Sequence, residues 1–265
     1  MISLSSTPSS WKAAAVGTAT VAILWLLWEW ADLNGGTVLT TILPPPSQFV
    51  SALAESDFRI GLGAQSATVT QSVLATLGRV FAGMTIAFVA AVFTGALLSL
   101  SRIATWIVSP LLYLLAPIAP IAWIPTAIIV FGINNMTAIF IVFMGVYFIL
   151  TIATLAEIRR IPPEYAIVAS NLGANRFQQW LWVTLPAVLP GVFTLLRTNF
   201  IAAWMAVLVA EMVGLRDGLG AIIMMGRNLF NNNLIMFGMV VIGVAGFIVD
   251  RLLAFVGNRL LWWRV

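Results

Sequence analysis

Residues 157–187 carry the sequence EIRRIPPEYAIVASNLGANRFQQWLWVTLPA, a polar stretch whose prolines, glycine and asparagine predict two short helices joined by a turn. Apolar runs flank it on both sides, Met136–Leu155 before it and Val188–Val209 after it, and each is long enough to cross a lipid bilayer. The stretch therefore predicts a structured segment at one face of a membrane. In a chain without a soluble domain, such a segment is typical of a docking site for a partner protein.

The composition places the rest of the chain in the bilayer. Of 265 residues, 61% are hydrophobic and only 8% are charged, whereas soluble domains carry about 25% charged residues. The sequence pI is near 10.3, but Arg159 and Arg160 form the only basic cluster, so no nucleic-acid partner is expected. The predicted fold class is all-α, a polytopic membrane protein that forms a single domain over residues 1–265.

The residue types that are missing restrict the chemistry. Cysteine and histidine are both absent, which excludes disulfides, thiol catalysis and thiolate metal sites and removes the usual general base. We therefore expect neither a metal site nor catalytic residues, and the chain is not expected to be an enzyme. The single lysine, Lys12, does not follow a glycine-rich loop. Because a P-loop needs that arrangement to hold phosphates, the chain carries no ATP site of that kind itself.

Six apolar segments are predicted to span the membrane. They are residues 13–30, 80–100, 106–131, 136–155, 188–210 and 234–250. The first has the alternative of a signal peptide, but Glu29, Trp30 and Asp32 stand where a small-x-small cleavage motif would follow, so an uncleaved helix is expected. With both termini in the cytoplasm, the inside segments hold eight basic residues and the outside segments four. This orientation makes residues 156–187, which we call the docking segment, cytoplasmic.

Two further segments have irregular patterns. Three prolines at residues 44–46 lead to Ser47, which is expected to cap a short helix through Glu55. Residues 66–79 are expected to form an amphipathic lead-in to the second span, which lies along the outer surface as an interfacial helix. Four prolines interrupt the third span, and its segment 116–125, APIAPIAWIP, either lines a pathway or packs as a kinked helix against its neighbours.

Local signals set the ends of the helices within the docking segment. Pro163 suits the first turn of a helix, and Glu164 beside it is favoured at the positive end of the helix dipole. Gly173 is expected to end this helix in a left-handed conformation. Asn175 is expected to cap a second helix that continues until Pro186. A short rigid helix outside the lipid suits insertion into a groove of a partner.

The docking segment resembles the cytoplasmic loop of permease subunits of bacterial ABC importers, which has the pattern Glu-Ala-Ala-x3-Gly-x9-Ile-x-Leu-Pro. The residues at matching spacings are Ala169, Gly173, Val183, Leu185 and Pro186. The family's glutamate and first alanine fall on Ile167 and Val168, and Glu164 is the nearby acidic residue that could replace that glutamate. The segments 117–133 and 189–214 resemble the branch that imports taurine, alkanesulfonates, nitrate, cyanate or bicarbonate.

The resemblance implies a type I importer permease with a cytoplasmic coupling helix, located in the bacterial inner membrane. It implies a second permease copy, two subunits that bind ATP and Mg, and an extracytoplasmic protein that delivers a small anion. The residues implied to dock the ATPase are Glu164, Ala169, Gly173, Leu185 and Pro186. The alternative is a secondary transporter driven by an ion gradient, which is disfavoured because such proteins usually need acidic residues or histidine inside their spans.

Pathway candidates come from the apolar segments. They are Trp123, Arg197, Asn199 and Glu211. A charge inside a span costs at least ~2.5–3.5 kcal/mol, so Arg197 contacts an anion on the pathway, pairs with a neighbouring helix or extends to the cytoplasmic interface. Glu211 is expected either to pair with Arg216 or Arg227 at an outer gate or to lie at a solvated helix end. Asp250 is expected at the membrane interface.

Overall fold

A computed structural model of the protein describes residues 10–34, 44–48, 51, 59–60 and 67–260. The helices are α1 (Ser10–Asn34), α2 (Val69–Leu100), α3 (Arg102–Leu115), α4 (Ile124–Phe131), α5 (Asn135–Arg160), α6 (Pro163–Asn171), α7 (Arg176–Gln179), α8 (Leu185–Met212), α9 (Leu219–Asn228) and α10 (Asn232–Leu260). A 3-10 turn, Pro120–Trp123, precedes α4, and a π-helical segment, Trp180–Thr184, joins α7 to α8. One two-residue antiparallel pair, β1 (Arg59–Ile60) with β2 (Ala67–Thr68), accompanies them. The all-α prediction is confirmed.

Five of the six predicted spans have a counterpart in length and composition. The helices α2, α5 and α10 and the continuous helical run Arg176–Met212 are each long and apolar enough to cross a membrane. The third predicted span is a bent pair, in which Arg102–Leu115 and Pro120–Phe131 meet at 97°. The predicted first span lies within α1, whose apolar part, Ala15–Ala31, is shorter than these helices.

Helix α2 begins well before its predicted start. The Thr68 hydroxyl accepts a hydrogen bond from the Gln71 N–H at 3.3 Å, and the Gln71 side chain accepts one from the Thr68 N–H at 3.1 Å, a capping box that starts the helix. Three buried polar residues lie on one face of the next turns, namely Ser72, Thr76 and Arg79. The predicted lead-in to the second span is present, because the helix continues into that span. Its predicted position along the outer surface is wrong, because these polar side chains are buried inside the protein.

The proline segment before α2 also differs from its prediction. Residues 44–46 are buried, and a helical turn covers residues 46–48, so Ser47 does not precede the helix as a cap would. Its hydroxyl instead donates to Glu29 Oε1 of α1 at 2.5 Å. The predicted continuation of this helix to Glu55 lies outside the described residues, apart from residue 51.

Helix α5 is the centre of the core, because both α2 and α8 pack along it. Gly83 of α2 approaches α5 so closely that a Cβ there would lie 2.7 Å from Val142 Cβ, and a Cβ at Gly95 would lie 2.7 Å from Thr154 Cγ2. Fully buried residues of α5 fill the interface, including Ile141, Val146 and Leu150. In a bilayer, close backbone approach of this kind stabilises helix pairs through dispersion contacts.

The broken third span packs against α5 as well. A Cβ at Gly145 of α5 would lie 2.8 Å from Pro120 Cγ. The Trp123 ring stacks on Phe148 of α5 with 6.5 Å between ring centroids. Of the two interpretations of residues 116–125, packing against a neighbouring helix describes these contacts. A pathway role for the segment stays a prediction.

Candidate functional site

The first helix of the docking segment has the predicted ends. Helix α6 starts at Pro163 with Glu164 in its first turn. Gly173 has a φ of +81°, and the N–H of Ala174 bonds back to the carbonyl of Ala169 at 3.0 Å. A residue with a side chain is strained at that φ, so this helix end depends on glycine.

The surface of α6 is apolar and exposed. Ile167 and Val168, the two positions that depart from the family pattern, are each more than half exposed, and Leu172 is 83% exposed. Ala169 is the buried residue of this helix. Exposed apolar area outside the lipid costs roughly 25 cal/mol per Å², so a protein that covers these side chains gains that free energy on binding. The surface therefore suits a partner with an apolar groove.

The second helix of the docking segment was predicted to end at Pro186, but it continues past that residue. The Asn175 side chain accepts from the Gln178 N–H at 2.8 Å, and the Gln178 side chain accepts from the Asn175 N–H at 2.9 Å, so the predicted cap is present. The π-helical segment Trp180–Thr184 then leads directly into α8. Proline has no N–H to donate, and a wider turn just before Pro186 accommodates the missing hydrogen bond. The predicted helix end at Pro186 is therefore wrong.

Contacts at the base of the docking segment orient it on the spanning helices. Glu157 near the end of α5 lies against Gly191 of α8, where a Cβ would be 2.6 Å from its carboxyl carbon. Leu185 and Pro186 are half-buried at the start of α8. Of the five residues predicted to dock an ATPase, Glu164 and Gly173 are exposed, Ala169 is buried, and Leu185 and Pro186 are half-buried.

A partly buried cluster of polar side chains lies near the opposite end of α8. We call it the Arg79 cluster, and its members are Thr76, Arg79, Asn135, Glu211 and Asp217. Arg79 Nη1 donates to Glu211 Oε1 at 2.7 Å and to the Asp217 carbonyl at 2.9 Å, and Nη2 donates to Asp217 Oδ1 at 2.5 Å. Asn135 Oδ1 accepts from Nη2 at 2.6 Å and from Nε at 2.9 Å. All five guanidinium N–H groups thus have acceptors, although the Arg79 side chain is only 3% exposed.

Glu211 also fixes the start of α9. Its carboxylate accepts from the Thr76 hydroxyl at 2.8 Å and from the Gly220 N–H at 2.9 Å. The Leu219 N–H donates to Thr76 Oγ1 at 2.9 Å. The first N–H groups of a helix have no partner inside it, and these contacts supply two. A Cβ at Gly218 would overlap the Glu211 carboxyl carbon, so only glycine permits this approach.

The two alternatives predicted for Glu211, a pair with Arg216 or Arg227 and a solvated helix end, are both wrong. Its partner is Arg79, which lies 132 residues earlier in the chain. The signal that could have revealed this pair is the polar face of α2. Thr76 and Arg79 are three residues apart, so they lie on the same face of the helix at the edge of an apolar span.

The remaining pathway candidates have separate partners. Arg197 forms a bidentate ion pair with Asp250 of α10, with Nε–Oδ1 at 3.2 Å and Nη2–Oδ2 at 3.1 Å. Of the three alternatives for Arg197, the structure shows the pair with a neighbouring helix. Asp250, which was expected only to lie at the membrane interface, is the partner in that pair. Asn199 donates to the Leu195 carbonyl of its own helix at 2.8 Å. The structure does not bring the pathway candidates together in one site.

The chain matches a known protein family and several of its relatives. Residues 83–262 match the family described as "Binding-protein-dependent transport system inner membrane component". The taurine transport system permease protein TauC of Escherichia coli is 25% identical over 95% of this chain and 90% of its own length. The bicarbonate transport system permease protein CmpB of Synechococcus elongatus is 32% identical over 71% and 68%. The nitrate import permease protein NrtB of Leptolyngbya laminosa is 29% identical over 71% and 67%.

Two solved transporters share the fold. An inward-facing MetNI methionine ABC transporter superposes with a TM-score of 0.58 and 23% identity, covering 73% of this chain and 94% of that one. A bacterial ABC transporter involved in alginate import gives a TM-score of 0.62 with 15% identity, covering 94% and 98%. At these identities the likeness concerns the fold alone.

Proposed function

The chain belongs to the family of binding-protein-dependent transport system inner membrane components and is a permease subunit of an ABC importer, and on that premise we propose that it forms the pathway for a small anion such as nitrate, bicarbonate, taurine or an alkanesulfonate. The observation that carries the choice of substrate is that relatives 25–32% identical are named for taurine, bicarbonate and nitrate, all of which bear an oxyanion group. The alternative of a secondary transporter has no support among these relatives.

The proposed assembly contains a second copy of this chain as a homodimer, two ATP-binding subunits and an extracytoplasmic substrate-binding protein. ATP and Mg bind to the ATP-binding subunits, and this chain hydrolyses nothing. The exposed apolar side chains of α6, Ile167, Val168 and Leu172, support docking of an ATP-binding subunit at this helix. Because α7, the π-helical segment and α8 are continuous, a displacement of the docking segment passes directly into a spanning helix.

The proposed location is the bacterial cytoplasmic membrane, with both termini and the docking segment in the cytoplasm. Arg159 and Arg160 lie at the docking end of α5, which supports this orientation. The Arg79 cluster then lies toward the extracytoplasmic side, where the binding protein delivers its ligand.

Uptake by the reconstituted complex tests the proposal. The permease is placed in vesicles with its ATP-binding subunit, with ATP inside and the binding protein outside, and labelled taurine, nitrate or bicarbonate is added. We expect uptake of at least one of these anions that requires both ATP and the binding protein. A variant of the ATP-binding subunit without its P-loop lysine serves as the control. Uptake of a neutral sugar with none of the anions would refute the proposed substrate class, and uptake driven by an ion gradient without ATP would refute the mechanism.

A further inference from the structure

Arg216 lines two cavities near the Arg79 cluster. It lies in the loop between α8 and α9. One cavity, of about 470 Å³, is bounded mainly by the end of α8 and by α9, and Met224, Met225 and Asn228 belong to its walls. The other, of about 440 Å³, is bounded by the α4–α5 turn and by the same loop. Both volumes are in the range of small-molecule sites, so either has room for an anion of a few atoms with water.

Arg216 forms no ion pair within the described part of the chain, although Glu211 also lines the larger cavity and Asp217 the smaller one. Arg79 is neutralised by Glu211 and Asp217, and Arg197 is neutralised by Asp250. No described carboxylate forms an ion pair with Arg216, which is exposed. Neighbouring Asp217 is committed to Arg79 through its Oδ1. The guanidinium fork of Arg216 is therefore available to a ligand.

We infer that Arg216, rather than Arg197, is the residue that receives the anion at the extracytoplasmic mouth of the pathway. The inference rests on the proposed function and adds to it the residue that contacts the substrate. A guanidinium matches two oxygens of a carboxylate, nitrate or sulfonate group with parallel N–H···O bonds. In the larger cavity Met224 and Met225 supply an apolar wall and Asn228 a further amide donor. A small oxyanion with a short apolar body is the ligand class that this arrangement takes.

The test measures the local preference for anions and works whichever anion is transported. The chain has no native cysteine, so Ala221→Cys places a single thiol in the wall of the larger cavity. The assembled complex in lipid nanodiscs is labelled with anionic 2-sulfonatoethyl methanethiosulfonate or with its cationic trimethylammonium analogue. The ratio of the two rates reports the electrostatic potential in the cavity. We expect Arg216→Gln to lower the anionic-to-cationic ratio by about 3- to 10-fold, and Arg216→Lys to keep it.

Arg159→Gln is the control, because Arg159 is an exposed arginine at the docking end of α5 and lines neither cavity. It should leave the ratio unchanged. An unchanged ratio in Arg216→Gln, or an equal fall in Arg159→Gln, would overturn the inference. Each variant is first compared with Ala221→Cys alone by gel filtration, so that a labelling change is scored only on assembled protein.

Transport supplies the second measurement. In the complex whose permease carries no introduced cysteine, Arg216→Gln should raise the KM for the transported anion several-fold. A KM equal to that of the unmodified chain would count against Arg216 as a substrate contact. If the unmodified complex transports none of the anions, the proposed function fails while the labelling result still stands, so the two failures are distinguishable.

Discussion

Replacing Arg79 with methionine tests whether the Arg79 cluster holds the spanning helices together. The substitution keeps much of the side-chain volume but removes all five donors from the cluster. The buried Glu211 carboxylate is then left with two neutral donors, the Thr76 hydroxyl and the Gly220 N–H. Breaking a buried ion pair by removing one partner costs about 3–5 kcal/mol, and we expect a loss of this size.

The other members of the cluster should rank below Arg79. Glu211→Gln keeps the shape and one acceptor oxygen, and Arg79 retains Asp217 as an anionic partner, so about 1–3 kcal/mol is expected. Asp217→Asn should cost about 0–1 kcal/mol, because the Asp217 side chain is 49% exposed. The double variant Arg79→Met with Glu211→Met should cost less than the sum of its single variants, since no buried charge is left unpaired.

Thermal stability of the purified protein in detergent measures the series. Each variant is heated, and the fraction that still elutes as a monodisperse peak in gel filtration gives a midpoint temperature. The expected order of destabilisation is Arg79→Met, then Glu211→Gln, then Asp217→Asn, with the exposed Arg227→Met as a control that changes little. A midpoint for Arg79→Met equal to that of Arg227→Met would refute the view that this cluster is a stabilising element.

Three further predictions concern the docking segment and the second ion pair. Gly173→Val should abolish coupling between ATP hydrolysis and uptake in vesicles, because a β-branched residue at a φ of +81° costs roughly 1 kcal/mol or more and changes the end of α6; undiminished uptake would argue against the docking role. Asn175→Cys should react with an impermeant thiol reagent from the cytoplasmic side only, and labelling of intact cells from outside would contradict the proposed orientation. Arg197→Gln and Asp250→Asn should each lower the gel-filtration yield of assembled complex by removing a bidentate pair, and the double variant should recover part of it; full yield of both single variants would leave the pair without a structural role.

The docking segment could be predicted in detail because its signals act over one or two turns of chain. Pro163, Gly173 and Asn175 each set a helix end through their own backbone or side chain, and all three do so in the structure. Pro186 is the exception. A proline inside a helix usually breaks it because it has no N–H to donate, but here the wider π-helical turn before Pro186 accommodates the missing hydrogen bond. Whether a helix stops at a proline thus depends on the turn that precedes it.

The Arg79 cluster could not be predicted because its members are far apart in sequence. Arg79 and Glu211 each lie near the end of an apolar span, and at such positions an exposed charge is the ordinary expectation. Only the packing of α2, α5 and α8 brings them together. The polar face of α2 indicates that Arg79 is buried, but nothing in the sequence identifies Glu211 as its partner. The same holds for Arg197, whose partner Asp250 is supplied by a helix that begins 35 residues later in the chain.

The continuous run Arg176–Met212 has a mechanical consequence. At 37 residues and about 1.5 Å per residue it is a rod roughly 55 Å long, with α6 attached at one end and Glu211 at the other. Tilting such a rod about its midpoint by about 6° displaces each end by roughly 3 Å, about the length of a hydrogen bond. A displacement of that size at the docking end is therefore sufficient to strain or break the contacts of Glu211. The π-helical segment and Pro190 are the points at which this helix bends most easily, so their stiffness determines how much of a displacement at the docking end reaches Glu211.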